Sequence, residues 1–310
     1  MTATVVVAAV LGGFLLFRSS GDGEPRQTGD AGGAPEGRSL FTSKRDGDWE
    51  VYIADADGSN PTNLTNNPST DEPAAPSPDG EKIAFRSNRE GTNEIFVMNV
   101  DGSEQTRVTD GQGQNFFPSW SPDSSQIIFT RDRGGVTGIY VMDADGSNVQ
   151  PIISQVRGHS GYTVVHSPWH SRPTFSPDGD EIIFEAENNG NADIFVLTLD
   201  SGESRKLTDE PGEDRSPAWS PDGDLIMFMS NRDGNDEIYS MKPDGSDPTR
   251  LTDESSRDAF PAFTTDGDHV VFETGRSGNA DIWIMDVDGE NAEVLIEDPA
   301  SDHIPQWLPE

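Results

Sequence analysis

The 310-residue chain contains no cysteine, and lysine occurs only at Lys44, Lys82, Lys206 and Lys242. The missing cysteine excludes disulfides, thiolate nucleophiles, cysteine-based zinc sites and lipid attachment through an N-terminal cysteine. Positive charge is sparse altogether: 21 Lys+Arg face 56 Asp+Glu, for a net charge of −35. No Lys/Arg cluster is present to displace counterions from phosphates, which argues against DNA or RNA as a partner. The carboxylate excess suits a protein kept soluble in a salty habitat, and it equally suits a cationic partner. Apolar residues are also few, at 32%, while Gly (32) and Pro (22) are abundant. That mixture fits many short strands joined by tight turns better than packed helices. Disorder is the competing reading of an acidic, polar chain, and regularly placed aromatic and β-branched residues argue against it.

The one long uncharged apolar run is residues 3–17, ATVVVAAVLGGFLLF. As a helix it would span about 22 Å at roughly 1.5 Å per residue, slightly short of a ~30 Å hydrocarbon core. It reads as a hydrophobic helix serving as an uncleaved membrane anchor. A signal segment is the alternative, although basic residues before the run and an A-x-A site after it are both missing. Residues 18–38 are rich in Gly, Pro and Ser without apolar periodicity, which predicts a flexible linker.

From residue 39 onward the chain repeats. The S-P-D-G turn and its variants place Asp79, Asp123, Asp178, Asp222 and Asp266 at steps of 44, 55, 44 and 44, and a further step of 44 reaches Glu310. The D-x-D-G turns at Asp57, Asp101, Asp145, Asp200, Asp244 and Asp288 keep the same steps. Each unit offers four short strands, A to D. In the fifth these are Pro217–Ser220, Leu225–Met229, Glu237–Met241 and Thr249–Thr252, joined by Pro-Asp-Gly and Asp-Gly turns suited to hairpins. Four antiparallel strands per ~44 residues predicts propeller blades. The chain begins with strands B to D and ends on a lone strand A around Ile304–Trp307. Joined, these would complete a six-bladed, all-β ring over residues 39–310 and remove its open edges.

The segments DRSPAWSPDG (214–223), NRDGNDEIY (231–239) and DGSDPTRLT (244–252) resemble the WD-repeat-like blades of the TolB-like β-propeller family. The resemblance extends over residues 39–310. It implies an extracytoplasmic protein of a prokaryote, periplasmic or on the cell surface, that binds another protein, since TolB is a periplasmic partner of an outer-membrane lipoprotein. The α/β domain that precedes the propeller in TolB is not expected here. The repeats are also similar to propellers of the prolyl oligopeptidase class, without implying peptidase activity.

Alternation of the turns assigns A–B and C–D turns to one face of the ring, B–C loops and D–A connections to the other. The second face carries the 11-residue excess between the third and fourth blades, in SQVRGHSGYTVVHSPWHS (154–171). His159, Tyr162, His166, Trp169 and His170 in this insertion are candidate partner-binding residues, because loops on a rigid scaffold tolerate functional change. Pro168 argues against a helix that would bring His166 and His170 onto one metal. Eight residues before each S-P-D aspartate lie Asp71, Asn115, His170, Asp214, Asp258 and Asp302. They are expected to ring the channel mouth, where converging carboxylates would attract a cation or a basic peptide; loop capping is their alternative role. Arg45, Arg89, Arg133, Arg232 and Arg276 of the B–C loops are expected to form salt bridges between blades, with the acid that opens strand C as partner. The D-x-D-G turns lack the remaining ligands of a calcium loop and read as hairpins. Trp120, Phe175, Trp219, Phe263 and Trp307 are expected in the core between blades, with Pro76 in the equivalent slot of the second.

The expected function is a membrane-anchored, monomeric, non-catalytic scaffold that engages a protein or peptide through the insertion-bearing face, with no cofactor and no metal. A metal-assisted polysaccharide lyase or hydrolase using the His/Asp cluster is the alternative.

Overall fold

The structure, a computed structural model, describes residues 35–154, 172–188 and 191–309. These form six four-stranded antiparallel sheets. Blade II, for example, comprises Asp71–Pro76, Lys82–Ser87, Glu94–Asn99 and Thr106–Arg107. Blade V comprises Asp214–Trp219, Ile226–Ser230, Glu237–Met241 and Thr249–Arg250. Strand A of blade V thus begins at Asp214, three residues before the start expected from the apolar pattern. The hydrophobic segment 1–17 and nearly all of the linker lie outside the described residues, as do residues 155–171. Among the described residues, no helix is long and apolar enough to cross a membrane.

Strands B and C read as unbroken apolar runs because each blade is covered on both faces by its neighbours. All residues of Ile226–Ser230 and Glu237–Met241 are buried. Strand D lies at the rim, where it is short and polar: Thr249 is exposed and Arg250 partly so. Six hydrophobic clusters fill the six seams. Ala84 and Ile95 of blade II, for instance, meet Trp120, Ile127 and Phe129 of blade III. The seam between blades VI and I gathers Ala262, Val271 and Ile282 with Phe41, Tyr52 and Trp307.

Closure follows the predicted route. The terminal strand Asp302–Leu308 pairs antiparallel with Arg38–Ser43, from Arg38↔Leu308 to Ser43↔Asp302. The indole Nε1 of Trp307 donates to the Glu36 carbonyl at 2.8 Å, tying the chain's entry into the ring to its last strand.

The two turn motifs are built from side-chain caps. In blade V the Ser220 hydroxyl donates to Asp222 at 2.6 Å, and Asp222 accepts the Asp224 N–H at 3.1 Å. In the D-x-D-G turn Asp244 accepts the Ser246 N–H at 2.9 Å. Its Gly245 has φ +87°, and a Cβ there would stand 2.7 Å from the Leu207 carbonyl of blade IV, so both conformation and clearance require glycine. These carboxylates are committed to hairpin geometry.

Candidate functional site

Four blades fix the B–C loop with one recurring unit. The aspartate opening strand A is fully buried and binds the arginine of its own blade's B–C loop, which lies over the aromatic pair of strands B and C. Arg89 Nη2 reaches Asp71 at 2.9 Å, and its guanidinium is 5.4 Å from the Phe85 ring centroid and 4.8 Å from that of Phe96. Arg232 grips both oxygens of Asp214 at 2.9 and 3.0 Å. Arg45 does the same with Asp302 at 3.0 and 2.9 Å, across the closure of the ring. Arg276 pairs with Asp258. In blade III the acid is replaced by Asn115, whose amide oxygen accepts from Arg131 Nε at 2.7 Å, while Arg133 turns to the Gln112 carbonyl. Burial raises the Asp71 and Asp302 carboxyls, with Arg89 and Arg45 pulling the other way.

Two expectations are thereby corrected. The loop arginines bridge strands within one blade and do not join neighbouring blades, because the strand-A aspartate is nearer to them than the acid opening strand C. That acid has another task, closing the D–A connection. Glu94 accepts from the Thr109 hydroxyl and, at 2.9 Å, from the Asn115 amide of the next blade. Glu237 accepts the Thr252 hydroxyl at 2.6 Å and the Glu254 N–H at 3.1 Å. Asp71, Asp214, Asp258 and Asp302 do not converge on the axis as free carboxylates, since each is bonded to the loop arginine of its own blade; Asn115 is shared between Arg131 of its own blade and Glu94 of blade II. His159, Tyr162, His166, Trp169 and His170 lie outside the described residues.

The axis is lined by the residues two positions further on. In blades II, III, V and VI and in the closing strand, the register of strand A against strand B slips here. Phe117, Ser216, Phe260 and Ile304 take φ of 49°, 51°, 54° and 53°, left-handed conformations that side chains of this kind seldom adopt. A bulge inserts an extra residue and re-aims its side chain; here five blades use it in the same place. Sequence reasoning missed this ring. Its members stand six residues before each S-P-D aspartate, a position whose types (Pro73, Phe117, Arg172, Ser216, Phe260, Ile304) share no chemistry.

Charged side chains of strand B support the bulges. Glu185 of blade IV accepts the Ser216 N–H of blade V at 2.9 Å, and Glu273 of blade VI accepts the Ile304 N–H at 3.4 Å. Glu273 also receives Arg257 Nη1 and His303 Nδ1, both at 2.9 Å. Arg86, in the equivalent slot of blade II, binds Glu72 at 2.9 Å. Among the described residues Glu185 has only the backbone donor, and burial pushes its carboxyl up to about 8 against the pull of that N–H, Arg172 and Arg215. The channel between these strands encloses a cavity of about 350 Å³, running from the bulges to the prolines of the A–B turns and walled by Trp120, Trp219, Phe263 and Trp307. Those aromatics therefore serve core and channel at once.

The profile of the TolB beta propeller domain matches residues 33–108, 75–170 and 152–310. Comparison with curated protein sequences gave no match. Among solved structures, TolB from Acinetobacter baumannii superposes with a TM-score of 0.77 at 23% identity, covering 90% of this chain and 68% of that one. A putative TolB from Agrobacterium tumefaciens gives 0.68 at 21% identity, covering 90% of this chain and all of that one. An oligogalacturonate lyase in complex with manganese gives 0.57 at 16% identity, over 84% and 74%.

Proposed function

Because the chain belongs to the TolB β-propeller family, we propose that it is a non-catalytic binding scaffold that works outside the cytoplasm and engages a protein or peptide through its B–C/D–A face. One observation carries this reading: that face is rigid where it meets the channel and acidic where it meets solvent. The Asp–Arg–aromatic units hold the B–C loops from beneath and neutralise their arginines. What remains exposed beside them, with no ion pair among the described residues, is Asp48, Glu210, Glu254 and Glu297. A preorganised rim with uncompensated carboxylates suits a cationic segment of a partner. The insertion at 155–171, with His159, Tyr162, His166, Trp169 and His170, would add the aromatic contacts such an interface needs, and the run at 3–17 would hold the propeller at a membrane. The lyase reading would draw on Asp71, Asp214, Asp258 or Asp302 as metal ligands, and each of these is already bonded to an arginine.

The test is capture of partners from an envelope extract by the full chain and by a variant with residues 157–170 replaced by a short Gly-Ser link. Binding that fails for the variant and weakens with added salt is the expected outcome. Equal recovery by both proteins would remove the insertion from the interface, and indifference to salt would remove the acidic rim.

A further inference from the structure

Beyond partner binding on that face, the channel has the build of a ligand site opening at the opposite one. Its deep end is formed by Arg172, whose guanidinium lies 4.9 Å from the Phe117 ring centroid and 4.3 Å from that of Phe260. Phe117 belongs to blade III and Phe260 to blade VI, three blades apart on a six-bladed ring, so the group held between them sits at the axis. Strand A ends at the A–B turns, which places the mouth of the cavity on the face away from the insertion.

Arg172 is unlike every other arginine of the throat. Arg86 is bonded to Glu72, Arg257 to Glu273 and Arg215 to Glu213, all between 2.7 and 2.9 Å. Glu185 is engaged with the Ser216 N–H. Among the described residues, Arg172 has no hydrogen bond and no ion pair, although Glu185, Glu273 and Glu72 are near enough to act on its charge. The nearby carboxylates are thus taken, and a planar fork of five donors is left unsatisfied at the end of a cavity. A guanidinium clamped by two rings is oriented in advance, which reduces what is lost when it binds a carboxylate through two hydrogen bonds. The walls beyond it are the rings of Trp120, Trp219 and Trp307 and a succession of prolines. Its volume of about 350 Å³ lies at the lower end of small-molecule pockets.

We propose that this channel binds an amphipathic carboxylate, with the carboxylate on Arg172 and the apolar body against the tryptophan and proline walls. A free small acid and the C-terminus of a peptide present the same chemistry.

The experiment is calorimetric titration of the full chain with phenylacetate, indole-3-acetate and the peptide acetyl-Ala-Pro-Phe, each beside its neutral amide. At least one acid should bind saturably, and its amide at least about tenfold more weakly, a difference of about 1.4 kcal/mol. Arg172→Gln, checked for unchanged far-UV circular dichroism, should lose the same tenfold. Binding by the small acids alone assigns a small-molecule ligand; binding by the peptide alone assigns a chain terminus. Either result supports the site. Acid and amide binding equally well, or no acid binding at all, overturns the proposal on the unaltered protein, whatever the fate of the variant.

Discussion

Replacing Glu185 with Gln should make the propeller less sensitive to alkaline pH. Glu185 is 1% exposed, and its partner is the backbone N–H of Ser216, which a Gln carbonyl can accept equally well. Its carboxyl titrates at about 8 in the fold, against 4.5 for an ordinary glutamate. Below the lower value the group is neutral in both folded and unfolded chains. Between the two, only the unfolded chain releases the proton, so stability falls as pH rises, by up to about 1.4 kcal/mol per unit. Above the higher value the loss is complete. From pH 5 to pH 8 the wild type should therefore lose about 2–4 kcal/mol that Glu185→Gln keeps. For a domain of this size that corresponds to about 4–8 °C in Tm. The other carboxylates titrate in both proteins, so the informative quantity is the difference between their Tm values, measured by differential scanning calorimetry. A gap that widens from pH 5 to pH 8 is expected; any constant offset reports the packing of the amide. Parallel pH profiles would refute the account of a buried, neutral Glu185.

Arg232→Ala leaves the fully buried Asp214 carboxylate without its partner and should destabilise the fold by about 3–5 kcal/mol, read from the urea midpoint. A loss below 1 kcal/mol would mean that the loop unit is ornamental. Trp307→Ala removes the indole from the seam of blades VI and I and its bond to Glu36, with an expected loss of about 3–5 kcal/mol. If the ring closes as described, that loss should appear in one cooperative transition and not in a separate one. Ser216→Gly keeps the N–H that Glu185 accepts and relieves a left-handed φ of 51°; stability should rise by about 0.5–1 kcal/mol, while Ser216→Ala leaves it unchanged. Destabilisation by the glycine would show that this conformation carries no strain.

The architecture was legible in the sequence because its signals are local and repeated. Asp222 and Gly223 make their turn with atoms no more than a few residues away, and the same spacing returned at each blade. The lone strand A at the end of the chain announced the closure, since a ring with an unpaired strand would leave an open edge. The partners of charged side chains were not legible in this way. Glu94 is much nearer to Arg89 in sequence than Asp71 is, and only the packed blade shows that Asp71 lies beneath it while Glu94 faces the next connection. The bulge was invisible for a related reason. At Ser216 and Ile304 its backbone is held by an N–H reaching Glu185 or Glu273 of a neighbouring blade, and the side chains that occupy it are as different as Phe, Ser and Ile. Repetition along the chain therefore determined how many blades there are and how they close. What stands on the axis, including an arginine held between two rings from opposite blades, was decided by contacts among residues far apart in the chain, which no local pattern encodes.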